Sequence, residues 1–252
     1  TSFVAVNGEP YDADVHVLTI DVDGLRDAVN GHSDPDVVTV GNHMLDAVDA
    51  HTLEHLRSMP ASIGAGDFGT TSDNILTKGR WTGGYVLAIN GWLDPASVWY
   101  ELTQLTGYQS EHFIYGEDPG VVPTGGGGIY TFTGGTFSTA TDGSSIGLGA
   151  TGGQLTWNFG LGSGSLNMTV EHGASIYGVS GSLLGDGTRS FTEGTVNAVS
   201  GLSTYPVELD GFLAGPNGSS PPLAAGLAYV IKMFYINGYD LVGTAGFGLT
   251  ST

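Results

Sequence analysis

Three groups of residues in the chain have the types that chemistry needs. The first is His51-Thr52-Leu53-Glu54-His55. On a helix, histidines four apart share a face and can reach one zinc ion, while a glutamate between them can activate a bound water. The second is Ser110-Glu111-His112, which holds the types of a nucleophile, an acid and a base. Neighbours on a strand point to opposite faces, so these three do not converge as a triad. The third is the carboxylate group Asp12, Asp14, Asp21 and Asp23, which lacks the spacing and closing glutamate of an EF-hand loop. Solvated carboxylates at strand ends explain the third group. Two histidines flanking a packed stripe explain the first more simply than zinc does. Cysteine is absent, which removes thiolate ligands, disulfides and cysteine nucleophiles together. No motif implies a cofactor.

The elements that would carry these groups differ along the chain. Asn42 to Ser58 reads as a helix: Asn42 caps it, Leu45, Val48, Leu53 and Leu56 form its apolar stripe, and Pro60 follows its end. Asp94-Pro95 reads as the start of a second helix with Val98, Leu102 and Leu105 on one face and Gly107 at its end. Gly64 to Asn74 reads as a loop. Short alternating segments dominate elsewhere, as in Leu155-Thr156-Trp157-Asn158-Phe159 and Leu166-Asn167-Met168-Thr169-Val170. A two-residue period with one apolar face is a half-buried antiparallel strand. Further strands are expected at Ser2 to Val6, Asp14 to Val22, Tyr85 to Ile89, His112 to Tyr115 and Ile129 to Thr133. Others are expected at Ala174 to Val179, Ser190 to Val199, Val207 to Leu213 and Ala225 to Ile231. His172 falls at a hairpin beside Gly173 and is expected to be exposed.

Many short strands with no helix between them point to a sandwich or barrel, and closure removes the exposed edges of a glycine-rich sheet. The fold class is therefore mainly β. It is an antiparallel barrel of the eight-stranded type, with a small α+β N-terminal region and an extra C-terminal strand. Residues 1–76 read as the N-terminal strands and helix, 77–235 as the barrel, and 236–252 as a terminal strand or tail.

Charge narrows the function. The 252 residues carry 25 acidic and 6 basic side chains, a formal net charge of −19. Such a surface repels phosphate backbones and anionic membranes, so nucleic-acid and lipid-headgroup binding are disfavoured. No apolar run is long enough for a membrane-spanning helix. A start at Thr1, scarce lysine and abundant Gly, Ser and Thr read as a processed, exported chain.

Gly79-Arg80-Trp81 ahead of a strand, Gly211-Phe212-Leu213-Ala214-Gly215-Pro216 and then Ala225-Gly226-Leu227-Ala228-Tyr229 resemble the opening and close of one barrel type. Pro123-Thr124, Tyr130-Thr131-Phe132 and Gly134-Gly135-Thr136 fit the same pattern. It is the C-terminal barrel of bacterial FecR-domain surface proteins, similar to the eight-stranded barrels of transferrin-binding protein B and its relatives. The resemblance spans about residues 77–231. It implies a secreted or surface-anchored protein of a Gram-negative bacterium whose barrel is a scaffold for binding.

After the expected closing strand, Tyr239, Leu241, Ala245, Phe247 and Leu249 share one face of Tyr239 to Thr250. One reading makes this a further strand of the same domain, pairing with Ser2 to Val6. The sharper reading adds it, with Phe3 and Val4, to a neighbouring molecule's sheet, a head-to-tail contact that builds filaments. The expected function is a non-enzymatic structural or adhesive subunit at the cell surface that polymerises through its terminal strands. The alternative is a ligand-capture barrel for a host protein or a haem or iron carrier, with Tyr108 and Tyr115 as contacts. A third reading is zinc hydrolysis through His51, Glu54 and His55.

Overall fold

The computed structural model describes residues 2–7, 15–20, 68–82, 85–90, 99–104, 107–117, 119–185 and 189–252. Two sheets share one wall. The smaller is built from β1 (Ser2–Asn7), β2 (Val15–Ile20), β3 (Phe68–Thr70), β4 (Leu76–Thr82) and β7 (Ser110–Glu117), in the order β2-β1-β7-β4-β3. A separate hairpin pairs β5 (Tyr85–Asn90) with β6 (Trp99–Gln104). The expected second helix is corrected here, because Trp99 to Gln104 is a strand. Trp99, Tyr100 and Thr103 are strand formers, and Leu102 pairs with Leu87 across the hairpin. The helix expected at Asn42 to Ser58, with His51, Glu54 and His55, lies outside the described residues. Part of the expected loop at Gly64 to Asn74 is the short strand β3.

The larger sheet closes on itself. Its wall is β8 (Gly127–Gly135), β11 (Gly149–Asn158), β12 (Ser163–His172), β13 (Ser175–Gly185), β14 (Ser190–Ser200), β15 (Ser203–Ala214), β16 (Ala224–Ile231) and β17 (Leu241–Ser251). Each strand pairs antiparallel with the next, and β17 returns to β8 to complete an eight-stranded barrel. Two short strands, β9 (Ser138–Ala140) and β10 (Ile146–Gly147), lie in the connection between β8 and β11.

Inward positions follow the two-residue period. Leu155, Trp157, Leu166, Met168, Val170, Val179, Leu183, Phe191, Val207, Leu209, Leu227, Tyr229 and Phe247 fill the interior, so the barrel holds side chains rather than a channel. The outward set on β15, β16 and β17 is apolar too. Phe212, Ala214, Ala224, Ala228, Val230 and Val242 form a second core with Leu76 and Ile114 of the smaller sheet. Hence β16 is buried on both faces along its whole length, whereas β12 and β13 alternate buried and open.

Glycines inside strands receive aromatic rings from the strand alongside. Phe191 pairs with Gly211, Phe212 with Gly226, and Tyr229 with Gly243. A methyl on Gly226 would sit 2.6 Å from the tip of the Phe212 ring, and Gly116 closes on another edge of the same ring. The ring has no room to yield. Gly226→Ala is therefore expected to destabilise the protein by about 1–3 kcal/mol, the usual cost of overpacking. Urea denaturation would show this as a lower midpoint with an unchanged slope.

Candidate functional site

Buried polar side chains are concentrated in one place. Of the eleven buried polar or charged residues among those described, all except Thr71 surround the connection between β8 and β11. The reason is a gap in the wall. β11 matches β8 only over Gln154–Asn158 against Gly127–Thr131. Beyond that point the chain leaves β8, and residues 136–147 run as a strap along the seam. β9 takes over the pairing with Leu241 and Val242 of β17, and β10 folds back on β9.

Two histidines hold the strap from opposite sides. His112 of β7 is fully buried, with Nδ1 at 2.9 Å from Thr136 Oγ1 and Nε2 at 2.7 Å from Thr139 Oγ1. Burial pushes its pKa down to about 3, and the nearby Arg80 charge adds to the effect. The ring is therefore neutral, with one nitrogen donating and the other accepting. On the barrel side, His172 of β12 lies 2.9 Å from Ser138 Oγ through Nδ1 and 2.8 Å from Ser145 Oγ through Nε2. Burial lowers its pKa too, partly offset by a hydrogen bond with the Ser138 backbone. The expectation that His172 is exposed is corrected: the strap folds over the end of β12 and buries it.

The smaller sheet adds further ties to the strap. Arg80 stacks over Phe137 at 5.3 Å and donates to Ser110 Oγ at 3.2 Å. The Gln109 side chain donates to the Thr141 carbonyl, and Lys78 donates to that of Gly135. Thr136 Oγ1 also accepts from the Thr244 amide of β17 at 3.0 Å.

These contacts limit what the seam can do chemically. Ser145 and His172 have the separation of a nucleophile and its base, but the other ring nitrogen faces the Ser138 hydroxyl rather than a carboxylate. Ser110 and His112 share a strand without touching; Ser110 Oγ donates to the Tyr108 carbonyl. The geometry immobilises neutral rings between hydroxyls. Among the described residues, no three His, Asp or Glu side chains converge as metal ligands.

The strap leads directly to an exposed turn. Thr141 and Asp240 exchange two hydrogen bonds: the Thr141 amide donates to the Asp240 carbonyl at 2.9 Å, and the Asp240 amide donates to Thr141 Oγ1 at 3.0 Å. The buried Asp240 carboxylate then accepts from the amides of Met233 and Phe234, both at 2.7 Å. These bonds fix α1 (Phe234–Asn237), a single turn closed by Gly238 at φ 82°. Its side chains stand in solvent: Phe234 is 58% exposed, Tyr235 100% and Ile236 67%. Leu202, on the β14–β15 hairpin at the same end of the barrel, is also fully exposed. Beneath them Tyr177 and Tyr205 meet edge to face at 6.1 Å, and Tyr239 packs on the core.

The residues expected to act in assembly fall elsewhere. Leu241, Ala245 and Phe247 are buried in the barrel core, and Tyr239 and Leu249 pack against it. β17 pairs with β16 on one edge and with β8 and β9 on the other, not with β1. The segment expected to reach a neighbour is thus built into the wall and offers no open edge. Phe3 and Val4 lie on β1, whose two edges pair with β2 and β7. Tyr108 is half exposed beside the strap, its amide donating to Gly143 O. The Tyr115 side chain lies outside the described residues. Sequence reasoning missed the strap, Asp240 and the Phe234–Ile236 turn. Three consecutive large apolar residues ahead of Asn237-Gly238 break the strand alternation, and that break was the available signal.

No family model matches the chain, the FecR-domain barrel included, and no curated protein matches it. Solved structures do. A single-substitution mutant of the vaccine antigen transferrin binding protein B from Haemophilus parasuis Hp5 matches with a TM-score of 0.48 and 11% identity. That match covers 100% of this chain and 45% of the other. A double mutant of the same protein matches with a TM-score of 0.45 and 10% identity, over 99% and 45% of the two chains. This chain spans less than half the length of these neighbours. Among the described residues no helix is long and apolar enough to cross a membrane.

Proposed function

We propose that the chain is a binding protein rather than an enzyme, and that it captures a protein ligand through the Phe234–Ile236 turn at one end of its barrel. The observation that carries this reading is the combination of exposed apolar side chains with a buried anchor. Apolar side chains that sit in solvent on a rigid turn have their ordering cost already met before contact, which is how interface hot spots gain affinity. Asp240 supplies the rigidity. A filled interior supports a surface ligand over a small molecule such as haem held inside the barrel. The −19 charge supports a partner whose apolar pocket has a basic rim. An exported protein at the surface of a Gram-negative cell, facing a host iron carrier, is the setting in which this reading fits.

The test uses iron-loaded transferrin and haem as probes, titrated against the whole chain and against a variant with Phe234, Tyr235 and Ile236 all replaced by serine. Saturable binding of transferrin by the chain, weakened at least tenfold in the variant, is the expected result, with no saturable haem binding. Equal transferrin isotherms for the two proteins, or no saturable response to it, would count against the proposal.

A further inference from the structure

We infer that the strap is an acid-operated latch: protonating His172 frees residues 136–147 from the seam and, through Thr141 and Asp240, unfastens the Phe234–Ile236 turn while the barrel stays closed. The chain of contacts is continuous. His172 grips Ser138 and Ser145, which flank the strap's turn. Between them Thr141 holds Asp240, and Asp240 holds the first amides of the exposed turn. No barrel strand pairing depends on β10, and β9 contributes only two residues to β17. The strap can lift without breaking the eight-strand closure.

The charged groups around the seam decide the direction of the response. Arg80 and Lys78 come from β4, and Arg80 opposes a positive charge on His112. On the barrel side, the carboxylate of Glu171 accepts from Thr151, and Asp240 is committed to two amides. Asp142 lies in the strap's own turn, where its carboxylate accepts from the Ser144 amide. None of these carboxylates is hydrogen-bonded to either ring. With the strap closed, both imidazoles are held below their ordinary pKa of 6.5. The closed state is therefore favoured above that value and loses ground as pH falls through it. His172 stands at the strap's barrel edge with less burial than His112, so it takes up the first proton.

Amide hydrogen exchange on the whole chain at pH 7 and pH 5, corrected for the intrinsic rates, tests the inference. Protection of residues 136–147 and 233–240 is expected to fall at least tenfold further at pH 5 than that of Leu166–Val170 and Leu227–Ile231, which report only the global stability. An equal loss in strap and barrel, or unchanged protection in the strap, would overturn it. His172→Gln retains two hydrogen-bonding groups and cannot take the proton, and its strap is expected to lose the acid response. His112 still lowers the stability of the whole chain in acid, so the reading is the difference between strap and barrel. A His172→Gln chain that folds and whose strap still loosens more than its barrel at pH 5 would also overturn it. The readout needs no ligand, so its failure is separate from failure of the binding proposal.

Discussion

A chain ending at Tyr239 should not fold. β17 is the eighth wall strand, and its residues Leu241 to Gly248 are buried without a break. Removing it takes Leu241, Val242, Ala245 and Phe247 out of two cores and opens edges on β16 and β8 together. Phe247→Ala alone should cost about 3–5 kcal/mol, and whole domains carry only about 5–15 kcal/mol. The truncated protein is expected to lack near-ultraviolet circular dichroism and to elute as an aggregate. A truncated chain that unfolds cooperatively would mean the strand is dispensable for folding and would overturn this account.

The second large effect is loss of stability in mild acid through His112. Its folded-state pKa lies near 3 and its unfolded value near 6.5. Between those values the unfolded chain binds a proton that the folded chain refuses, so stability falls as pH falls. The slope is about 1.4 kcal/mol per pH unit, or about 2 kcal/mol between pH 7 and pH 5. That window sits above the range where the 25 carboxylates titrate, so relief of their mutual repulsion does not mask it. Urea unfolding at both pH values should show the loss in the natural chain and a much flatter response in His112→Gln. Equal stability at pH 7 and pH 5 in the natural chain would refute the account.

The barrel was legible because its period is local. Leu155, Trp157 and Phe159 announce an inward face from three residues of sequence, and the same holds for Leu166, Met168 and Val170. Closure was less so, because Tyr239 to Thr250 looks identical as an eighth wall strand and as a free one. What decides is the pairing of Phe247 with Phe132 and of Leu249 with Tyr130, far back in the chain. The helix expected from Asp94-Pro95 failed for a related reason: Leu102 is in register with Leu87 across a hairpin, and that strand pairing outweighs a local cap. The strap was hidden because its residues are small and polar. Thr136, Ser138 and Ser145 read as loop, and nothing in their own sequence reveals two histidines waiting for their hydroxyls.

The shared wall also sets an order of events. Leu76 and Ile114 belong to the first half of the chain, yet their apolar partners Phe212, Val230 and Val242 come near its end. A chain emerging from its N-terminus therefore holds an unsatisfied sheet until the last strands arrive. Long-range closure of this kind is slow and leaves apolar surface exposed meanwhile. A partly made chain therefore stays unfastened, and the fold locks only once its final strands are present.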